Sequence, residues 1–427
     1  MHLHTKLAAA GATLATIAAA SLGMPAAQAT SGNTTLPVKD LSTSNAKFTE
    51  TGGATPLATD KTVAHWHGQF TDPTNGVTYG YNMVGADPAT KAATTTPTDV
   101  IPINVVFSAN NGYALNGSDV VKRTVASPIF QTGDYRSTDK SGDYAHLDRG
   151  GQLSAGNNGV QYEDAIMRSQ FDKVGTGYHV RLGQPNVQDA ITLVVPQGKG
   201  SAFTNSHGVP YGLVDYSWFS TQVQQLMGSV HTDPTHLPIF LTDNVMLYIN
   251  SYDNCCVIGY HGASVATGYG SGATSGQGQQ GVQTFAYAAY TTPGTFGDGH
   301  GGADPFVRDI HALSHEIAEW GDDPFVNNTV DPWLTPTAPQ YGCTGILETG
   351  DPVVGIGFTM PGNTYDTGQY ADGYYHPEDE VFLPWFAREA PNTTSQATQR
   401  KSTNIGRYTF MGDLNPYPGF REPATGC

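Results

Sequence analysis

The stretch 305–320 constrains the fold more than any other, because its pattern fits one backbone period. Phe306, Ile310, Leu313, Ile317 and Trp320 recur at spacings of four, three, four and three, which sets them on one face of an α-helix. His311, His315 and Glu319 recur at four and four and form a second stripe. Asp304 is placed as an N-cap, and Pro305 takes the first helical position, where its missing N–H costs nothing. Gly321, Asp322, Asp323 and Pro324 supply the stop. A helix with one apolar face and one ionisable face needs a larger layer to pack on.

The rest of the chain supplies strands for that layer. Runs rich in β-branched and aromatic residues predict strands at 100–107, 191–195, 256–260 and 284–290. Residues 237–249 predict more strand, with Asp243-Asn244 as a turn. Helices are expected at 162–171, 219–227 and 378–388, the last interrupted by Pro384. The Gly/Ser/Gln run 267–281 reads as a loop. Strands mixed with separated helices give an α+β fold class.

The N-terminus sets the expected compartment. His2, His4 and Lys6 precede an apolar run over 7–22, and Ala27-Gln28-Ala29 is a small-x-small cleavage site. That order is a secretory signal peptide over 1–29, so the protein is expected to be secreted and extracellular, with no membrane attachment after cleavage. Residues 30–60 hold few large apolar groups and read as a flexible leader. The domain follows over 61–427, and divides at most into a sheet subdomain at 61–300 and a metal-helix subdomain at 301–427. With a formal charge of −17, nucleic acid is excluded as a partner, because a phosphate backbone is repelled. An even cysteine count in an oxidising compartment implies disulfides. Because adjacent Cys255 and Cys256 make a strained pair, each is expected to bond one of Cys343 and Cys427.

The ionisable stripe carries the chemistry. Side chains at i and i+4 on a helix stand side by side, so His311/His315 and His315/Glu319 are both possible ligand pairs. All three together span about 12 Å of axis, too long for one ion. Glu316 separates the pairs, because hydrolysis needs a carboxylate that is not a ligand and that directly follows the first ligand. His315-Glu316-Ile317-Ala318-Glu319 has this order, an H-E-x-x-E string.

The segment resembles the active-site helix of the zincin superfamily of zinc metallopeptidases. That likeness implies a mixed sheet beside the helix, His315 and Glu319 as ligands, and Glu316 as general base. The gluzincin branch draws its third ligand from a downstream Glu. By that resemblance it is Glu348, 29 residues after Glu319, with Asp351 supporting it. Asp323 and Asp331 are rival third ligands. More loosely, Ser314 to Glu319 with Asp323-Pro324, then Glu348-Thr-Gly-Asp351, is similar to a pattern in secreted microbial proteins of unassigned function. The implied cofactor is Zn²⁺. Two carboxylates and one His also suit Mn²⁺ or another oxygen-preferring divalent ion.

Other residues carry weaker signals. His65 and His67 share one face of an expected strand. His261 is placed at a strand end, where it lines a cleft. Tyr374, Tyr375 and His376 are candidates for stabilising an oxyanion. Glu378-Asp-Glu380 reads as the acidic first turn of a helix. The expected activity is peptide-bond hydrolysis on a peptide or protein substrate. The alternative is a secreted binding or cell-wall-associated protein with a structural metal, or a degenerate zincin fold without catalysis.

Overall fold

A computed structural model describes residues 34–58, 60–133, 159–230, 232–267, 280–339, 342–390, 408–410, 420 and 422–427. The expected signal peptide and most of the Gly/Ser/Gln run lie outside the described residues. The elements used below are, in chain order, β1 (Lys47–Phe48), β2 (Thr98–Phe107), β3 (Tyr113–Asn116), α1 (Tyr162–Gln170), β4 (Gly200–Thr204), β5 (Pro210–Asp215), α2 (Tyr216–Ser229), β6 (Leu237–Asp243), β7 (Val245–Tyr248), β8 (Cys255–Thr267), β9 (Gln280–Tyr290), α3 (His311–Asp322), β10 (Thr329–Leu334), β11 (Cys343–Ile346) and α4 (Leu383–Phe386).

The centre is an 11-stranded mixed sheet whose main path runs β4-β5-β7-β8-β9-β6-β2-β3. Pairing is parallel at β5/β7, β9/β6 and β6/β2, and antiparallel at β4/β5, β7/β8, β8/β9 and β2/β3. Alternation along each strand feeds two cores, one on each face. Val100, Ile258, Ala288 and Tyr290 join the core that contains α3. Ile101, Ile103, Tyr260, Phe285 and Tyr287 join the core that contains Phe219 and Val223 of α2. The fold class is therefore mixed α+β, with helices on both faces of the sheet. No helix among the described residues is long and apolar enough to cross a membrane.

The long apolar pattern around Ile317 has a simple outcome: every residue of α3 is buried. Its apolar stripe packs on β8 and β9, and Trp320 donates its indole N–H to Thr284 Oγ1 at 3.0 Å. The ionisable stripe is buried as well, under loops from the C-terminal third. The helix starts later than its pattern predicts. Asp304 does cap a turn, accepting the N–H of Phe306 at 2.8 Å. The chain then takes a left-handed step at Asp309 (φ 44°), and regular helix begins only at His311.

Three further expectations are corrected. Residues 378–380 form no helical turn. They run extended beneath α3, where Glu378 bridges Gly357 and donates its N–H to Ser314 Oγ at 2.8 Å; helix is confined to α4. The cysteines pair differently. Cys343 opens β11, opposite β10, and Trp333 of β10 bridges Gly426, which brings Cys427 to a Cα–Cα distance of 6.2 Å from Cys343. Cys255 is bonded to its neighbour Cys256, both buried at the start of β8 in the other sheet. Finally, the described part of the leader is threaded into the fold. Leu41 and Ala46 are buried, and β1 pairs in parallel with β8. Local composition misses this because the segment borrows its partners from the sheet rather than from its own side chains.

Candidate metal site

Four elements meet around the ionisable face of α3: the helix itself, β8, the loop 347–353 and the extended run 376–381. The helix brings His315 Nε2 within 3.0 Å of Glu319 Oε1, the i,i+4 geometry read from the sequence. The loop brings Asp351 Oδ1 to 3.9 Å from the same nitrogen. One donor atom each from His315, Glu319 and Asp351 lie within 4.8 Å of one another. Gly350 is needed for this approach, since a Cβ there would sit on the His315 ring. The backbone N–H groups of Gly350 and Asp351 both point at Glu319 Oε1, at 3.2 Å each.

A second group shares Glu319. His261, on β8, places Nδ1 at 3.3 Å from Glu316 Oε2 and 3.6 Å from Glu319 Oε2. These three also fall within 4.8 Å. The other ring nitrogen of His261 faces the carbonyl of Asp323 at 3.3 Å. Burial, then the neighbouring His315, pushes the His261 imidazole down to about 3, so it is neutral.

Glu378, read from the sequence only as part of an acidic helical turn, instead stands against His315. Its Oε2 accepts from His315 Nδ1 at 2.9 Å and lies 3.2 Å from His311 Nε2. With the proton on Nδ1, Nε2 presents a lone pair toward Glu319 and Asp351. A carboxylate behind a ligand histidine is the usual way its tautomer and orientation are fixed. No spacing rule links positions 315 and 378, so only the fold reveals the pair. Glu50, from the segment taken as leader, is a residue that sequence reasoning missed. Its carboxyl lies close enough to raise the pKa of Glu319, Glu348 and Asp351.

The remaining candidates separate clearly. Glu348 is buried and lies against Glu319, with Oε2 3.8 Å from His261 Nε2. Neither Glu348 oxygen has a hydrogen-bond partner among the described residues, and the same holds for His315 Nε2 and Glu316 Oε1. Asp323 is engaged in the turn after α3, accepting from the N–H groups of Asn327 and Asn328 at 3.0 Å each. Asp331 pairs with Arg388 at 3.0 Å, away from the group. His311 faces Glu378 rather than Glu319. His376 is held by Asp309 at 2.6 Å. His65 and His67 lie exposed on a separate hairpin strand.

Among the described residues no lysine or arginine pairs with this cluster of largely buried carboxyls. Burial raises the carboxyls of Glu316, Glu319, Glu348 and Asp351 well above the ordinary range, and their mutual repulsion adds to it. Glu378 is pushed up to about 8 by burial, against the opposing pull of His315. Unpartnered donor atoms, an oriented imidazole and excess carboxylate charge suit a divalent cation. A separate cavity of about 300 Å³, lined by Asp40, Asn205 and His207 among others, contains none of these residues.

No family model, curated protein or solved structure matches the chain.

Proposed function

We propose that this chain is a secreted, metal-dependent hydrolase of peptide bonds with a zincin-like site. His315, Glu319 and a third carboxylate, Asp351 or Glu348, hold the ion, and Glu316 moves the proton. The observation that carries the reading is the His315 imidazole. It is fully buried, fixed at Nδ1 by Glu378, and aims Nε2 at two carboxylates. The donor set fits a cation, being one nitrogen with carboxylate oxygens, the chemistry of Zn²⁺ or Mn²⁺. When bound, the cation supplies Lewis acidity toward water and a substrate carbonyl, and offsets the carboxylate charge. Glu316 stands beside the ligand pair on the next helical position, and accepts the proton of the attacking water. It then returns the proton to the leaving amine as the C–N bond breaks. His261 sits 3.3 Å from Glu316 and holds its carboxyl against β8. Export rests on the 1–29 segment and on the Cys343–Cys427 bond, which suits an oxidising compartment.

One observation favours the rival reading of a binding or cell-wall-associated protein with a structural ion: His315, Glu319 and Glu348 are buried, and among the proposed ligands only Asp351 is partly exposed. Elemental analysis of the mature protein and two variants separates the two. The hydrolase reading expects about one zinc per chain, lost in His315→Ala. It expects Glu316→Gln to keep the ion while hydrolysis of a peptide library falls roughly 10²-fold or more. An ion retained by Glu316→Gln with unchanged hydrolysis, or no ion in any form after adding Zn²⁺ or Mn²⁺, sinks it.

A further inference from the structure

A second group of buried oxygen atoms lies where α1 packs on the last turn of α3. Gly321 makes this contact possible, because a Cβ there would overlap Glu163 Oε1 of α1. Asp322 follows it and closes α3. Glu163, Asp322, Tyr178 and Thr349 are all buried. Both Glu163 carboxyl oxygens, Asp322 Oδ2, the Tyr178 hydroxyl and Thr349 Oγ1 have no hydrogen-bond partner among the described residues.

Mutual influence ties these side chains into one group. Burial, then the charge of Asp322, raises the Glu163 carboxyl well above the ordinary range. Burial, then Glu163 and Asp322, raises the Tyr178 phenol. Burial pushes Asp322 up to about 7, against the opposing pull of Gln170 and Thr349. Gln170 Nε2 donates to Asp322 Oδ1 at 2.7 Å, which leaves Oδ2 open. The neighbouring carboxyl of α1 is treated differently: Asp164 Oδ2 lies 2.7 Å from His179 Nδ1 and 3.6 Å from Arg181 Nε. Among the described residues no cationic side chain offsets Glu163 or Asp322 in this way. Buried carboxyls left without donor or counter-charge are costly.

The group also stands at a junction. Glu163 comes from α1, Asp322 from α3 and Thr349 from the loop 347–353, while Tyr178 lies shortly after α1. The run that follows Glu380 closes the junction: Val381 donates its N–H to Thr349 O at 2.9 Å, and Leu383 donates to Gln170 Oε1 at 2.7 Å.

We propose that Glu163 and Asp322, with the hydroxyls of Tyr178 and Thr349, form a second cation site that takes Ca²⁺ as a structural clamp. It shares no residue with the group around His315. Its open donors are all oxygen and carry two negative charges, which matches Ca²⁺ rather than a nitrogen- or sulfur-preferring ion. The ion offsets both carboxylates and ties the end of α3 to α1 and to the loop 347–353. Only the folded chain assembles the group, so Ca²⁺ stabilises the fold by mass action.

The test is urea unfolding of the full mature chain in chelator and in CaCl₂, together with calorimetric titration of Ca²⁺ into chelator-stripped protein. The wild type is expected to bind Ca²⁺ and to unfold at higher urea in its presence. His315→Ala, which alters only the other site, is expected to keep both effects. Glu163→Gln keeps the size of the side chain and removes its charge. It is expected to lose at least tenfold in Ca²⁺ affinity, and to unfold in chelator no earlier than the wild type. If that variant fails to fold, Asp322→Asn carries the same readouts, since its Oδ1 still accepts from Gln170. A wild type indifferent to Ca²⁺ overturns the proposal and leaves a pair of protonated acids. So does Ca²⁺ binding that survives Glu163→Gln and Asp322→Asn, or that His315→Ala abolishes.

Discussion

Replacing Glu378 by Gln separates the two roles that the structure gives this buried carboxyl. As a support for His315 it accepts the Nδ1 proton at 2.9 Å. The Gln carbonyl still accepts that bond, but the charge is gone and the imidazole becomes a poorer donor to a cation. Losing such a partner typically weakens metal binding 10–100-fold, about 1.4–2.8 kcal/mol. In the metal-free protein the same substitution acts the other way. Glu378 is held protonated up to about pH 8, against an ordinary 4.5. Across that window the folded chain keeps a proton that the unfolded chain has released, so stability is full below pH 4.5 and falls as pH rises toward 8. The ceiling on this loss is about 5 kcal/mol. A neutral Gln has no such loss. Metal-free Glu378→Gln is therefore expected to match the wild type near pH 5 and to exceed it at pH 8.5, while its Zn²⁺ affinity falls. Urea unfolding at both pH values, with and without chelator, and a competition titration for Zn²⁺ read the two effects. Unchanged affinity, together with an unchanged pH slope, refutes the assigned place of Glu378.

Three further outcomes follow from individual contacts. Gly350→Ala sets a methyl against the His315 ring; the 347–353 loop must withdraw, and Zn²⁺ affinity is expected to drop at least tenfold with little change in far-UV circular dichroism. Trp320→Ala empties a fully buried site between α3 and β9 and orphans Thr284; about 3–5 kcal/mol of stability is expected to go, measured by urea unfolding. Cys343→Ser opens a bond between residues 84 positions apart; the unfolded chain gains freedom worth up to about 4.5 kcal/mol, read as a lower midpoint under non-reducing conditions.

The helix was legible because its cause is local. Spacings of three and four among Leu313, Ile317 and Trp320 hold within the helix, and the Gly321–Pro324 stop falls where it ends, whereas Phe306 and Ile310 continue the pattern ahead of its first turn. The strands at 98–107, 237–243 and 245–248 were legible for the same reason, with Asn244 turning the chain at φ 51°. The i,i+4 juxtaposition of His315 and Glu319 needs nothing beyond helix geometry. Its closing partners were not legible. Glu378 reaches His315 across 63 positions, and His261 reaches Glu316 across 55. The leader reading failed on the same ground. A Ser/Thr/Gly-rich segment has too few apolar side chains to fold alone, yet its backbone N–H and C=O groups complete an edge that β7 leaves open.

By itself the sequence determined the period of each segment, the acidic balance and a helix that lines up two ionisable side chains on adjacent turns. Tertiary structure alone decided which distant carboxylates and imidazoles converge on that helix, which cysteines bond, and that the Phe48 ring stacks on His315. Local pattern acts through neighbours a few residues apart, whereas these contacts depend on where the sheet delivers residues far apart in the chain.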